Sequence, residues 1–159
     1  MGAAIMLKRS MFFFVLFGLL FLNGCTEGKG KGLAEFKFKE ESFPPSPAGF
    51  FSSDTKRYQM EQGNFEWRKD GMVTTTDHAG PTQIAESYSP VVVAPGEMLT
   101  IEIEQNPKIT SFIWEGEERT EVEEGNKINI PKREGRYIYE VMAEWTDGEV
   151  SYTFVVEVK

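Results

Sequence analysis

The chain has 159 residues, one domain's worth with room for an appendage, of which 40% are apolar, 13% aromatic and 26% charged; that composition excludes a disordered or collagenous chain. A net charge of −8, from 25 acidic and 17 basic residues with no cluster of Lys and Arg, argues against nucleic acid as a partner, because phosphate binding needs a basic surface. One cysteine and one histidine exclude an internal disulfide and a Cys-based metal site and leave little for a His-centred cage, so no cofactor is implied.

The densest apolar run comes first. Residues 1–25 read MGAAIMLKRSMFFFVLFGLLFLNGC, with Lys8 and Arg9 as a positive n-region and Met11 to Leu22 as an uninterrupted apolar stretch. As a helix that stretch spans about 18 Å, short of the roughly 30 Å core of a bilayer, which suits a secretory signal peptide. Leu22-Asn23-Gly24-Cys25 resembles the lipobox of bacterial lipoproteins, where a small residue precedes a cysteine whose thiol receives a diacylglyceryl group. Leu22, Gly24 and Cys25 match, and Asn23 departs from the commoner small or β-branched residue. Met6 offers a second start, since MLKRS is the tidier n-region. The resemblance implies a signal peptide over 1–24, cleavage between Gly24 and Cys25, and lipidation of Cys25. Two or three acyl chains would then hold the chain on the extracytoplasmic face of the cell membrane. Without Lys8 and Arg9 the remainder carries −10, so an anionic bilayer repels it and the lipid supplies the attachment. Over 25–33, three glycines alternate with polar residues from Thr26 to Gly32, the pattern of a flexible tether.

The span 34–159 is written in strands. No stretch carries a sustained i, i+3, i+4, i+7 apolar pattern, and alternation with period two recurs instead. Phe36 and Phe38 suggest a short strand before the Phe43-Pro44-Pro45-Ser46-Pro47 bend. Phe65-Glu66-Trp67 and Met72 to Thr75 flank Lys69-Asp70-Gly71, a hairpin signal. Val91-Val92-Val93 runs to a Pro95-Gly96 turn, after which Leu99, Ile101 and Ile103 alternate with polar residues. Ile109 to Glu115 and Asn126 to Ile130 read as further strands, the latter stopped by Pro131. The clearest hairpin is C-terminal. Tyr137, Tyr139, Val141, Ala143 and Trp145 alternate, then Asp147-Gly148 gives a type I′ turn signal, then Val150, Tyr152, Phe154, Val156 and Val158 alternate. That loop would set Trp145 opposite Val150, Ala143 opposite Tyr152, Val141 opposite Phe154 and Tyr139 opposite Val156. Seven to eight short strands predict an all-β, immunoglobulin-like antiparallel β-sandwich. Pro131 to Tyr137 resembles the corner entering the penultimate strand of such domains, where either Tyr137 or Tyr139 would tie back to the backbone.

Catalytic groupings are missing from the sequence: there is no Gly-x-Ser-x-Gly elbow, phosphate-cradling loop or His-Glu-x-x-His helix. Asp77-His78 is the one acid–histidine neighbour pair, and neighbours on a strand point to opposite faces, so it reads as a surface loop. Glu115 to Glu124 holds six glutamates. Hard cations take carboxylate oxygens, but the spacing and glycine of an EF-hand loop are missing, and a solvated acidic loop is expected. Trp67 and Trp145 are expected in the core. Phe112 and Trp114 share one face of a strand whose other face carries Ile109 and Ile113, which makes them the candidate interaction patch.

The whole body resembles an uncharacterised family of secreted or lipid-anchored domains from Gram-positive bacteria, chiefly bacilli. Similar segments form extracytoplasmic tails of membrane metallopeptidases of the β-lactam-sensor type. The resemblance rests on Pro44-Pro45, Gly63 to Trp67, Pro95-Gly96, Pro107, Pro131, Gly135 to Val141, Trp145, Gly148 and Tyr152-Thr153-Phe154, over roughly 44–158. It implies a setting at the outer face of the cytoplasmic membrane and no activity, since the metallopeptidase's catalytic segments have no counterpart. The expectation is a non-enzymatic, lipid-anchored binding, accessory or sensory module with a protein or envelope partner. The alternatives are a protease inhibitor, using Glu104–Lys108 or Phe43–Phe51 as its cleft-entering loop, and a small enzyme or solute-binding protein.

Overall fold

The structure, a computed structural model, describes residues 43–159. Gly24, Cys25, the tether and the strand expected at Phe36 and Phe38 lie outside the described residues. The strands are β1 (Gly49–Ser53), β2 (Lys56–Gln59), β3 (Glu61–Lys69), β4 (Met72–Thr75), β5 (Val91–Val93), β6 (Met98–Ile103), β7 (Lys108–Glu115), β8 (Glu118–Glu124), β9 (Lys127–Asn129), β10 (Gly135–Trp145) and β11 (Gly148–Val158), and a helix α1 (Pro81–Ser87) joins β4 to β5. They make a four-stranded sheet in the order β2-β1-β6-β9 and a seven-stranded sheet in the order β4-β3-β11-β10-β7-β8, with β5 beside the far end of β11. Every pairing is antiparallel except β5 on β11. The all-β sandwich is therefore what the sequence folds into, with more strands than its alternation announces.

Alternation sets the core. Leu99 and Ile101 from β6, Phe51 from β1 and Ile128 from β9 face Tyr139, Val141 and Ala143 from β10 and Val150, Tyr152, Phe154 and Val156 from β11, all buried. Four aromatic rings join the sheets in series: Tyr58 to Phe51 at 5.2 Å, Phe51 to Phe154 at 4.3 Å and Phe154 to Tyr139 at 5.1 Å between centroids. Each fully buried side chain of this size stabilises the fold by about 1.5–3 kcal/mol relative to exposure. Between β2 and β3 a single residue, Met60, carries the chain from the small sheet to the large one, its N–H donating to Gly49 O at 2.9 Å.

The β3–β4 hairpin has the expected form. Lys69 pairs with Met72, and Asp70 and Gly71 take φ of 52° and 78°, the left-handed pair a type I′ turn demands. The C-terminal hairpin differs from expectation by one step. Trp145 lies opposite Gly148, Ala143 opposite Val150, Val141 opposite Tyr152 and Tyr139 opposite Phe154, so the loop is Thr146-Asp147, and neither residue has a positive φ. Moving each partner by two positions keeps every side chain on its face, so the core is unchanged. Gly148 is needed as a strand residue with no side chain, because a Cβ there would run into the Trp67 ring and the Glu66 carbonyl oxygen. Trp145 is accordingly half-buried at the rim of the core, its ring 5.2 Å from that of the fully buried Trp67.

Two further departures have local causes. The acidic segment expected as a loop is the strand β8, paired along β7 with a bulge at Val122; its glutamates suit an edge strand, where charge discourages further pairing. Helix α1 has only seven residues and buries just Ile84 and Ala85, too few to show a period. Pro81 opens it, and the Gln83 side chain accepts the Gly80 N–H at 3.3 Å, which holds the first turn. At the corner before β10 it is Tyr137 that ties back, its hydroxyl donating to Arg133 O at 2.8 Å.

Tyr139 and Tyr152 are buried, and Tyr152 donates its hydroxyl to Pro47 O at 2.7 Å. Burial lifts both phenols well above their ordinary value of 10.0, with smaller contributions from Tyr137 and Glu104 respectively. In the unfolded chain these groups ionise near their ordinary value, whereas in the fold they keep their protons. Stability is therefore complete below about pH 10 and falls as pH rises beyond it, because the unfolded state then binds fewer protons. Thermal melts between neutral pH and strong alkali should show the midpoint dropping only in the alkaline arm. Phenolate absorbance should appear together with unfolding.

Candidate functional site

Strand alternation places Phe112 and Trp114 together on the outer face of the large sheet, both half-buried. Directly across from Phe112 on β10 stands Glu140, and across from Trp114 on β8 stands Arg119. The four side chains interlock. The Trp114 indole Nε1 donates to Glu140 Oε2 at 2.9 Å, and Arg119 Nε reaches the same oxygen at 2.9 Å. The Arg119 guanidinium lies 3.5 Å from the centre of the Phe112 ring, a cation–π contact. Glu140 is only 7% exposed. Burying a carboxylate is costly unless it is hydrogen-bonded and paired, and here the indole and the guanidinium meet both conditions through one oxygen. The patch foreseen at Phe112 and Trp114 is thus covered in part by Arg119 and organised around Glu140. Glu140 is the only charged residue between Tyr137 and Ala143, and that isolation within an apolar strand is the signal that points to it.

Beside this cluster a furrow of about 390 Å³ crosses the strands from Thr75 on β4 to Arg119, walled by Asn64, Glu66, Glu140 and Glu149 and floored by Met142 and Ser151. Helix α1 sets its limit. It packs on β11, β10 and β3, and there the outward-alternating Thr153 and Val155 of β11 are fully buried. Ser151 Oγ donates to Asn64 O at 3.2 Å, and Asn64 Oδ1 accepts the His78 N–H at 2.8 Å, so the connection from β4 to α1 is pinned to the furrow wall. Asp77 and His78 themselves are exposed in that connection.

A larger hollow of about 660 Å³ lies between β2 and the link from α1 to β5, and Lys56 is its one charged side chain. There Tyr88 donates its hydroxyl to Gln59 O at 2.8 Å. Among the described residues, no three His, Cys, Asp or Glu side chains converge to hold a metal ion. No protein-family model matches the chain, and no curated protein matches it.

The two loops considered for cleft insertion lie side by side. The Ala48 N–H donates to Glu104 Oε2 at 3.3 Å, which joins the segment Phe43–Phe51 to Glu104–Lys108. Gln105 and Asn106 take φ of 63° and 48°, a left-handed turn rather than an extended strand. Among the described residues no helix is long and apolar enough to cross a membrane.

Proposed function

We propose that the chain is a lipid-anchored, non-enzymatic binding or accessory module on the extracytoplasmic face of the cell membrane. The observation that carries this reading is the position of Cys25, the chain's one cysteine, at the end of the Met11–Leu22 apolar run in the context Leu-Asn-Gly-Cys. A single cysteine forms no disulfide within the chain. The glycine-rich tether after it and the acidic domain beyond fit a body held away from an anionic surface by its lipid. A stable sandwich with a polar furrow on an open sheet face supports a binding role, since rigid sheets position side chains well for recognition.

Expressed whole in a Gram-positive host and fed radiolabelled palmitate, the chain should take up label and remain with the membrane fraction. The Cys25→Ser variant should take up none and appear in the medium or as uncleaved precursor. An unlabelled wild-type chain overturns the anchor.

A further inference from the structure

A strand at the edge of a sheet presents unpaired N–H and C=O groups, and folds blunt such edges with charge, proline, bulges or brevity. Among the described residues, four of the outermost strands follow that rule. β8 carries Glu118, Glu121, Glu123 and Glu124 and a bulge. β2 carries Lys56 and Arg57, and its Gln59 carbonyl oxygen already accepts the Tyr88 hydroxyl. β5 and β9 have three residues each, and Pro90 directly precedes β5. The exception is β4. With the residue after it, β4 reads Met72-Val73-Thr74-Thr75-Thr76, without charge or proline, and its pairing with β3 is regular.

The ladder shows which backbone groups of β4 are free. Thr76 N–H donates to Phe65 O at 3.2 Å, and bonded and non-bonded pairs alternate along an antiparallel ladder. Trp67–Thr74 and Lys69–Met72 are therefore bonded pairs, whereas Val73 and Thr75 turn N–H and C=O away from β3. Among the described residues no strand pairs with this outward edge. Met72 and Val73, on opposite faces of the strand, are 62% and 58% exposed, more than any other large apolar side chain described.

Val73 and Thr75 lie symmetrically about Thr74. A second β4, given half a turn about an axis normal to the sheet, sets its Thr75 against Val73 and its Val73 against Thr75, so that every outward N–H meets a C=O. The charges behind the edge agree with this register. On β3, Arg68 stands opposite Val73 and Glu66 opposite Thr75, so each row across the joined sheets runs from Arg68 of one copy to Glu66 of the other. Sliding one copy until Val73 met Val73 would align Arg68 with Arg68 and leave outward groups of Thr75 without a strand partner. On the other face the favoured register brings Met72 beside Thr76 of the second copy and Thr74 beside Thr74.

We propose that the chain associates with a second copy of itself through β4, the two strands pairing antiparallel about Thr74 to make one continuous sheet. This is an isologous, two-fold contact. It involves few residues, so the dimer is weak and reversible. It goes beyond the binding-module reading and does not rest on it, since the edge lies wholly within the sandwich.

The register supplies its own test. Thr74 faces its counterpart in a non-bonded pair, where the strands come close enough for a disulfide to close. The full chain carrying Thr74→Cys, held in a non-ionic maltoside and oxidised with copper phenanthroline, should give a disulfide-linked dimer. Its yield should be about tenfold above that from the wild type or from Glu121→Cys on β8. Adding Val73→Lys puts a charge on the edge and should cut the yield about tenfold. The melting temperature of the dilute chain should stay where it was, because Val73 is exposed. Equal crosslinking at positions 74 and 121 overturns the proposal. So does a Thr74→Cys chain that stays monomeric on oxidation, or a Thr74→Cys dimer whose yield survives Val73→Lys.

Discussion

Replacing Phe154 with alanine should destabilise the domain by about 3–5 kcal/mol, the range for truncating a fully buried aromatic side chain. Phe154 is wholly inaccessible and touches both layers, Phe51 of the small sheet at 4.3 Å and Tyr139 of its own sheet at 5.1 Å. The loss therefore combines buried apolar area, a cavity between the sheets, and two aromatic contacts each contributing about 0.5–1.5 kcal/mol beyond area. Urea unfolding followed by tryptophan fluorescence would report it as a lower midpoint with an unchanged slope. A loss under about 1 kcal/mol would mean that the sheets are not joined through this ring.

Gly148→Ala should cost about 3 kcal/mol, the upper end of the range for overpacking. The added methyl meets two obstacles of different kinds, the Trp67 ring and the Glu66 carbonyl oxygen. A ring could shift; a backbone oxygen in a paired strand cannot do so without disturbing the β3–β11 ladder. A double-mutant cycle separates the two. In a Trp67→Ala background the penalty for Gly148→Ala should shrink by roughly 1 kcal/mol but persist, since the carbonyl remains. Additive penalties would show that the ring is not an obstacle, and a vanished penalty that the backbone is not.

What the sequence made legible follows the physics of alternation. β10 and β11 declare themselves because one face of each packs into the core along most of its length, which sets apolar residues at every second position. The same logic revealed β3, β5, β6, β7 and β9 in whole or part. β1 and β2 hid because Ser52, Ser53, Lys56 and Arg57 give them polar edges with little alternation, and β8 hid because an edge strand needs charge more than a buried face. The C-terminal register slipped by a step because Asp147-Gly148 reads as a turn, whereas the glycine is placed there by the size of Trp67, a residue about eighty positions away. The furrow was invisible for a related reason. Glu66 and Glu149 are ordinary glutamates along the chain, and only strand pairing brings them side by side. Of the candidate patch, Phe112 and Trp114 could be found by their shared face, whereas Arg119 and Glu140 come to them through pairing across the sheet.

The way β3 is held has a consequence for how the molecule is made. Its outer edge pairs locally with β4, but its partner toward the centre of the sheet is β11, at Gly148 to Thr153, so its inner edge waits for nearly the last residues of the domain. Met60 ties that wait to the small sheet as well, since β2 and β3 are almost continuous. Contacts so distant along the chain slow folding and discourage partial structures. The large sheet should therefore close in one cooperative step once its C-terminal strand is in place.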